Sequence, residues 1–172
     1  SAIEKYSAVH GVRPRVVMFG RTGGARIAEL SSGHESFQLE NKVALVTGAG
    51  GAIGAGICRG LLAKGCRVAA TDVVGAGLDS LVGEVGAAAG DRLHTLLLYV
   101  TDKDSVADGF AQVAWKWGGI DIVIVNAGIA MVASLVDMEP ESFRKLEKVN
   151  VEGTLLTIAE AGRWMKRQGT GG

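Results

Sequence analysis

Two cysteines in 172 residues are too few for a disulfide framework. Cys58 and Cys66 also lack partners at zinc-ligand spacing, so Cys58 is expected to pack as a small hydrophobe. Neither sign of charge is in excess. Eighteen Lys and Arg against eighteen Asp and Glu give a formal net charge of zero. A neutral chain has no general pull toward nucleic acid or an anionic membrane surface. No stretch reads as a spanning helix, because the apolar residues 43–57 are interrupted by glycines. No secretory signal is evident. His10, His34 and His94 do not cluster and read as ordinary surface or loop residues. With 48% hydrophobic residues and a mean hydropathy of +0.26, the expectation is a cytoplasmic α/β protein without a metal, nucleic-acid or membrane partner.

Glycine, in contrast, is abundant at 26 residues, and its placement is informative. Residues 47–54 read Thr-Gly-Ala-Gly-Gly-Ala-Ile-Gly, directly after the apolar run Val43 to Val46. That is a buried strand entering a glycine-rich turn and then a helix. Ile53, Ile57, Leu61 and Leu62 carry helical spacing over residues 52–64, and Gly65 follows where a left-handed residue commonly ends a helix. Such a turn lets backbone approach a pyrophosphate, and the helix start offers unpaired N–H groups and a positive dipole end. Gly48, Gly51, Ala52, Ile53 and Gly54 are the candidate contacts. In a glycine-rich chain the turn alone is weak; its strand–turn–helix setting strengthens it.

Arg67 to Thr71 reads as a second short strand, and Asp72 stands at its end, eighteen residues past Gly54. An acid there accepts hydrogen bonds from the adenosine ribose hydroxyls and repels a 2′-phosphate. No Arg or Lys lies in the glycine loop or beside Asp72 and Val73, which points to NAD over NADP. The plainer alternative is a loop aspartate capping the next helix.

The pattern repeats. Residues 92–100 read as a strand, Thr101 or Asp102 as a helix cap, and Val106, Phe110, Val113 and Trp117 as a helix face. Residues 120–125 form a fourth strand, apolar except for Asp121, and end in Asn126-Ala127-Gly128. Pro140 suits the first turn of a helix carrying Phe143, Leu146, Val149, Leu155, Ile158 and Ala161 to about Arg167. Alternating strands and helices predict a Rossmann-type doubly wound parallel sheet with right-handed crossovers. In strand order 3-2-1-4 the first and fourth strands are neighbours, so the glycine loop and Asn126-Ala127-Gly128 line one crevice.

Over about residues 39–172 the chain resembles the short-chain dehydrogenase/reductase family. The resemblance rests on Thr47-Gly48-xxx-Ala52-x-Gly54, Asp72, Asn126-Ala127-Gly128 and Asn150 within Val149-Asn150-Val151. It implies an NAD-dependent oxidoreductase that transfers hydride between nicotinamide and an alcohol or carbonyl substrate. It implies that Asn126, Ala127 and Gly128 stabilise the sheet and flank the cofactor. Asn150, the catalytic candidate, would hold a water of the proton relay. The resemblance also suggests a homo-oligomer with a subunit contact through residues 140–167. Three positions depart from the pattern. Ala52 stands for a glycine, Tyr99 for an aspartate near the adenine, and Val125 for an asparagine. The Val100 backbone remains available to the adenine.

The family's serine and Tyr-xxx-Lys pair follow the Asn150 helix and a further strand, and residues 151–172 contain neither Ser nor Tyr. The family's base is that tyrosine, its pKa lowered by the lysine and the cofactor. The expectation is therefore a cofactor-binding half, incomplete at its C-terminus and inactive alone. The alternative is a non-catalytic NAD-binding module or a truncated relic. A strand, a serine and Tyr-xxx-Lys following Gly172 would separate the two. Tyr99 and Lys103 spell the pair but fall on a strand and beyond a turn, which predicts core packing and a solvated lysine.

Residues 1–40 read as an arm or linker ahead of the domain at 41–172. Residues 15–19 could form one short strand, with loops at 20–24 and 31–33, and Arg13, Arg15, Arg21 and Arg26 make it mildly basic. The stretches Pro14 to Val17 and Ala25 to Ala28 faintly resemble the junction of an aldolase–dehydrogenase fusion.

Overall fold

The structure, a computed structural model, describes residues 39–132 and 134–169, apart from the Leu135 side chain, and the backbone of two strands before them. The chain divides into two units, residues 1–38 and 39–172. In the first, β1 (Arg15–Met18) pairs antiparallel with β2 (Ala25–Ala28), in a register that sets Arg15 opposite Ala28. Two strands thus stand where the sequence suggested one. Ala25-Arg26-Ile27-Ala28 is too short, and too rich in alanine, to announce a strand by its side chains. Arg13, Phe19, Arg21, the loops at 20–24 and 31–33, His10 and His34 lie outside the described residues.

The second unit is the expected Rossmann-type fold. Its parallel sheet contains β3 (Val43–Thr47), β4 (Arg67–Asp72), β5 (Leu93–Leu97) and β6 (Ile122–Ile124), in the order β5-β4-β3-β6. The register runs Thr47 to Thr71 and Asp72 to Leu97 on one side of the sheet, and Val46 to Ile124 on the other. The strands are near-continuous apolar runs because helices cover both faces. Alternate residues serve the two faces. Val46, Val68 and Ala70 pack with Cys58, Leu62, Leu78 and Leu81. Val43, Leu45 and Ala69 pack with Leu98, Val106, Phe110 and Val113. Phe110 and Leu45 are fully buried, each worth about 1.5–3 kcal/mol by area.

Helices connect and cover these strands. α1 (Ala52–Ala63) follows the glycine loop and ends at Lys64, after which Gly65 takes a φ of +82°. α2 (Gly75–Ala89) joins β4 to β5. α3 (Lys103–Trp117) is capped by Asp102, whose carboxylate accepts the Asp104 and Ser105 N–H groups. The last segment departs from the single helix the sequence suggested. α4 (Pro140–Glu147) passes through a π-turn (Lys148–Glu152) into α5 (Gly153–Gln168). Asn150 lies in that π-turn. Such turns are rare and recur at functional sites.

The faces of two helices also differ from the periodicity reading. α1 buries Gly54, Cys58 and Leu62, while Ile53 is 74% exposed at its start. α5 buries Gly153, Thr157 and Ala161, while Leu155 and Ile158 face outward. The reason is distance. A side chain at Gly153 would meet Val100 Cγ2 at 2.8 Å, so the close-packed face must be small. Thr157 joins it by donating its hydroxyl back to the Gly153 carbonyl at 2.7 Å.

Candidate functional site

The carboxyl ends of the four strands carry nearly every residue singled out above. β3 ends at Thr47, and Gly48 turns the chain with a φ of +66°. A Cβ at Gly48 would lie 2.8 Å from the Ala127 Cα, so the two loops approach backbone to backbone. A Cβ at Gly54 would collide with the Gly48 carbonyl oxygen and sit 2.8 Å from the Ala49 Cα. α1 can therefore lie this close to the turn only with glycine at 54. The N-cap of α1 is Gly51, which offers no side chain, and its first turn holds no acid. By contrast, α3 spends Asp102 on its own first amides. The start of α1 keeps its N–H groups free of side-chain partners.

One strand over, Asp72 ends β4. Its Oδ2 accepts the Gly50 N–H at 2.9 Å, and its Oδ1 accepts the Val74 N–H at 3.0 Å. Asp72 thus ties the glycine loop to the residue that leads into α2, but it does not cap that helix, whose N-cap Val74 has no side-chain cap. Val73 is exposed beside it.

On the other side, Asn126 and the glycine loop are interlocked. Asn126 Nδ2 donates to the Thr47 carbonyl at 3.0 Å and the Gly48 carbonyl at 3.1 Å. The buried Thr47 hydroxyl accepts the Asn126 and Ala127 N–H groups, each at 3.1 Å. The convergence of two loops distant in sequence is therefore a hydrogen-bonded fact. Gly128 follows, and a Cβ there would come within 3.3 Å of Asn150 Oδ1. Asn150 closes the far side. Its Oδ1 accepts the Ile129 N–H at 2.9 Å and its Nδ2 donates to the Ile129 carbonyl at 2.8 Å. The bidentate pair pins the strand-end loop to the π-turn.

Val100 sits apart from this cluster, just after β5, with its side chain turned toward α5. Tyr99 corrects the expectation of a core residue on a strand. β5 ends at Leu97, and Tyr99 lies beyond it, 49% exposed. Its N–H is held by the Ser105 hydroxyl at 2.9 Å. Lys103 opens α3, so the two do not share a helix face. The strands expected over 92–100 and 120–125 are shorter at both ends, β5 covering Leu93–Leu97 and β6 Ile122–Ile124.

The remaining titratable candidates lie away from the site. Cys58 is buried as expected, and burial pushes its thiol up to about 11. Cys66 is also raised by burial and donates to the Leu39 carbonyl. His94 is no loop residue. It lies on β5 with its ring edge-on to Trp117 at 6.0 Å, and burial lowers its pKa. Asp121 accepts the Val43 N–H at 2.9 Å, fastening the opposite end of the sheet. Among the described residues no group of acidic, His or Cys side chains could hold a metal, and no helix is long and apolar enough to cross a membrane.

Sequence reasoning missed two residues here. Gly77 packs on the glycine loop, with a would-be Cβ 2.6 Å from the Gly50 carbonyl oxygen. Gly153 lets α5 reach Val100. The available signal was the glycine at each position, read as a demand for close approach.

The sequence profile of the short chain dehydrogenase family matches residues 42–172. D-threitol dehydrogenase of Mycolicibacterium smegmatis is 36% identical over 137 residues, covering 78% of this chain and 52% of the relative. A crystal structure of a short-chain type dehydrogenase/reductase from Mycobacterium marinum superposes with a TM-score of 0.75 at 35% identity, covering 79% of this chain and 55% of that one. A 3-ketoacyl-(acyl-carrier-protein) reductase from Brucella melitensis, complexed with NADH, superposes with a TM-score of 0.70 at 31% identity, covering 76% of this chain and 52% of that one. The chain spans about half the length of the curated relatives it matches. From the interlocked loops, the strand order and these matches together, the chain belongs to the short-chain dehydrogenase family.

Proposed function

We propose that this chain is the NAD-binding half of an oxidoreductase that moves a hydride between nicotinamide and an alcohol or carbonyl substrate of the sugar or polyol class. The carrying observation is the glycine cradle. Gly48 and Gly54 stand where any side chain would strike backbone, and the turn opens onto a helix start with no side-chain cap and no acid. That is a fit for a pyrophosphate, which needs close backbone approach and free N–H groups at a helix start.

In this reading the amides of Gly51, Ala52, Ile53 and Gly54, with Gly48 in the turn, hold the pyrophosphate. The exposure of Ile53 at the mouth of the turn supports this assignment. Asp72 takes the adenosine ribose hydroxyls, with Val73 beside it. It already accepts two backbone N–H groups and retains lone pairs for further donors. Its charge disfavours a 2′-phosphate, and the glycine loop offers no cation to offset that. The Val100 backbone serves the adenine. Asn126, Ala127 and Gly128 flank the nicotinamide side, and Asn150 positions a water for the proton relay.

Nicotinamide, when bound, supplies the hydride donor or acceptor. The residues described here bind, orient and exclude; the base for the alcohol proton is not among them. Residues 1–172 alone are accordingly expected to bind NAD without turnover. The polyol assignment draws on the D-threitol relative. A cytoplasmic setting and a homo-oligomer complete the proposal, the latter supported by the outward-facing Val151, Leu155 and Ile158. The experiment is direct binding of NAD and NADP to the purified chain, each also titrated against Asp72→Ala. NADP binding by the unsubstituted protein as tight as its NAD binding would refute the cofactor choice.

A further inference from the structure

We propose that Gly77, in the first turn of α2, is a positioning residue for cofactor choice: by lacking a side chain it lets α2 seat on Gly50, and Gly50 in turn holds the Asp72 carboxylate. The inference rests on the dinucleotide reading above and goes beyond it to a residue outside the glycine motif.

The contact is backbone against backbone. A Cβ at Gly77 would lie 2.6 Å from the Gly50 carbonyl oxygen, 2.7 Å from its Cα and 2.9 Å from its carbonyl carbon. All three neighbours are backbone atoms, so none can swing aside as a side-chain tip would. A Cβ at Gly50 would lie 3.0 Å from Asp72 Oδ2 and 3.2 Å from the Gly77 Cα. The Gly50 N–H meanwhile donates to Asp72 Oδ2 at 2.9 Å. Loop, carboxylate and helix are thus in mutual contact, each from a different element. The far oxygen of Asp72 is fixed by Val74, the residue that leads into α2.

The consequence is a carboxylate whose position is set by the seating of α2. A carboxylate held by two backbone donors meets the two ribose hydroxyls without further ordering, which favours NAD. A methyl at 77 forces α2 and the Gly50 loop apart and breaks the Gly50–Asp72 bond. The φ of Gly77 is not in the left-handed region, so it is the contact with Gly50, and not backbone conformation, that calls for glycine there.

The experiment uses the full 172-residue chain and four variants, Gly77→Ala, Gly50→Ala, Gly83→Ala and Asp72→Ala, plus the Gly77→Ala/Asp72→Ala pair. Gly83 lies on the same helix with nothing within 4 Å of its would-be Cβ, so it controls for the helix. NAD and NADP dissociation constants are measured by titration, with unfolding midpoints recorded without cofactor. Gly77→Ala is expected to weaken NAD on the order of tenfold, the loss of a charged hydrogen bond, and to shrink the NAD-to-NADP preference. Gly50→Ala, whose Cβ would press directly on the Asp72 carboxylate and on the Gly77 Cα, should do the same, and it carries the test should Gly77→Ala not fold. Gly83→Ala should leave both constants unchanged. In the Asp72→Ala background, Gly77→Ala should have almost no further effect on the preference, because Gly77 acts through Asp72. A preference ratio unchanged in both Gly77→Ala and Gly50→Ala would overturn the proposal while leaving the dinucleotide reading intact. Equal losses with and without Asp72 would assign Gly77 a merely structural role. Absence of NAD binding in the unsubstituted chain would remove the reading on which the proposal stands.

Discussion

Asn126 and Thr47 hold each other from opposite sides: the Asn126 amide donates to the Thr47 carbonyl at 3.0 Å, and the Thr47 hydroxyl accepts the Asn126 N–H at 3.1 Å. Thr47 ends β3, Asn126 lies two residues past the end of the neighbouring parallel β6, and the two are 79 positions apart. Their bonds replace the ladder where the strands stop, and so fix the spacing of the two loops that line the crevice.

Asn126→Leu keeps the volume and removes the donor. Thr47 and Gly48 would each lose a partner for a part-buried carbonyl. A loss of about 1–3 kcal/mol in urea unfolding is expected, together with weaker NAD binding. Thr47→Val should act in the same direction, since its hydroxyl serves two N–H groups. Undiminished stability in both variants would show that the loops are held by something else.

Gly54→Val should abolish cofactor binding and lower stability together, because a side chain there runs into the Gly48 carbonyl and the Ala49 Cα. Gly60, on the exposed side of the same helix, has nothing within 4 Å of its would-be Cβ. Gly60→Ala should raise stability by up to about 1 kcal/mol through helix propensity and leave binding alone. Melting curves and a cofactor titration on both variants check this. Equal effects at 54 and 60 would remove the reason to single out the turn.

The cysteine thiols should be inert in the native protein. Cys58 is fully buried with its pKa pushed up to about 11, and Cys66 is raised by burial too. A thiol-specific reagent at about pH 8 should label neither until denaturant is added. The sign of the linkage follows. A group whose pKa is raised by folding contributes stability that is present below its ordinary value of 9.0 and is lost as pH rises through the folded value. Unfolding midpoints should therefore fall in the alkaline range, and fall less in Cys58→Ala after its cavity cost is subtracted.

His94 works at the other end of the scale. Burial first, then the nearby Lys116 charge, lowers its pKa from 6.5. The neutral form is favoured in the fold, so its contribution is present above 6.5 and is lost as pH falls through the folded value. His94→Gln should flatten the acid side of the stability profile. An unchanged slope would mean that carboxylates alone carry it.

Much of the fold was legible because its signals are local. Val43 to Val46, the glycines behind them and Asp102 before α3 each announce an element by composition or capping. The meeting of the glycine loop with Asn126-Ala127-Gly128 was legible because the strand order alone makes the two strands neighbours. What remained hidden depends on distance between elements. Hydropathy put Leu155 and Ile158 on the inner face of α5, yet that face is Gly153, Thr157 and Ala161, because Val100 leaves no room for more. Small residues carry almost no periodic signal. The π-turn at Asn150 was equally invisible, since an apolar pattern does not register one extra residue in a turn. Gly77 could have been noticed only as an unexplained glycine in a helix start.

The most direct test is equilibrium binding of NAD and NADP to the 172-residue chain, by calorimetry or protein fluorescence, with Gly54→Val and Asp72→Ala alongside. Saturable NAD binding is predicted, abolished by Gly54→Val, weakened on the order of tenfold or more by Asp72→Ala, and stronger than NADP binding in the unsubstituted protein. No NAD binding by a folded chain, or NAD binding that survives Gly54→Val intact, would contradict the account.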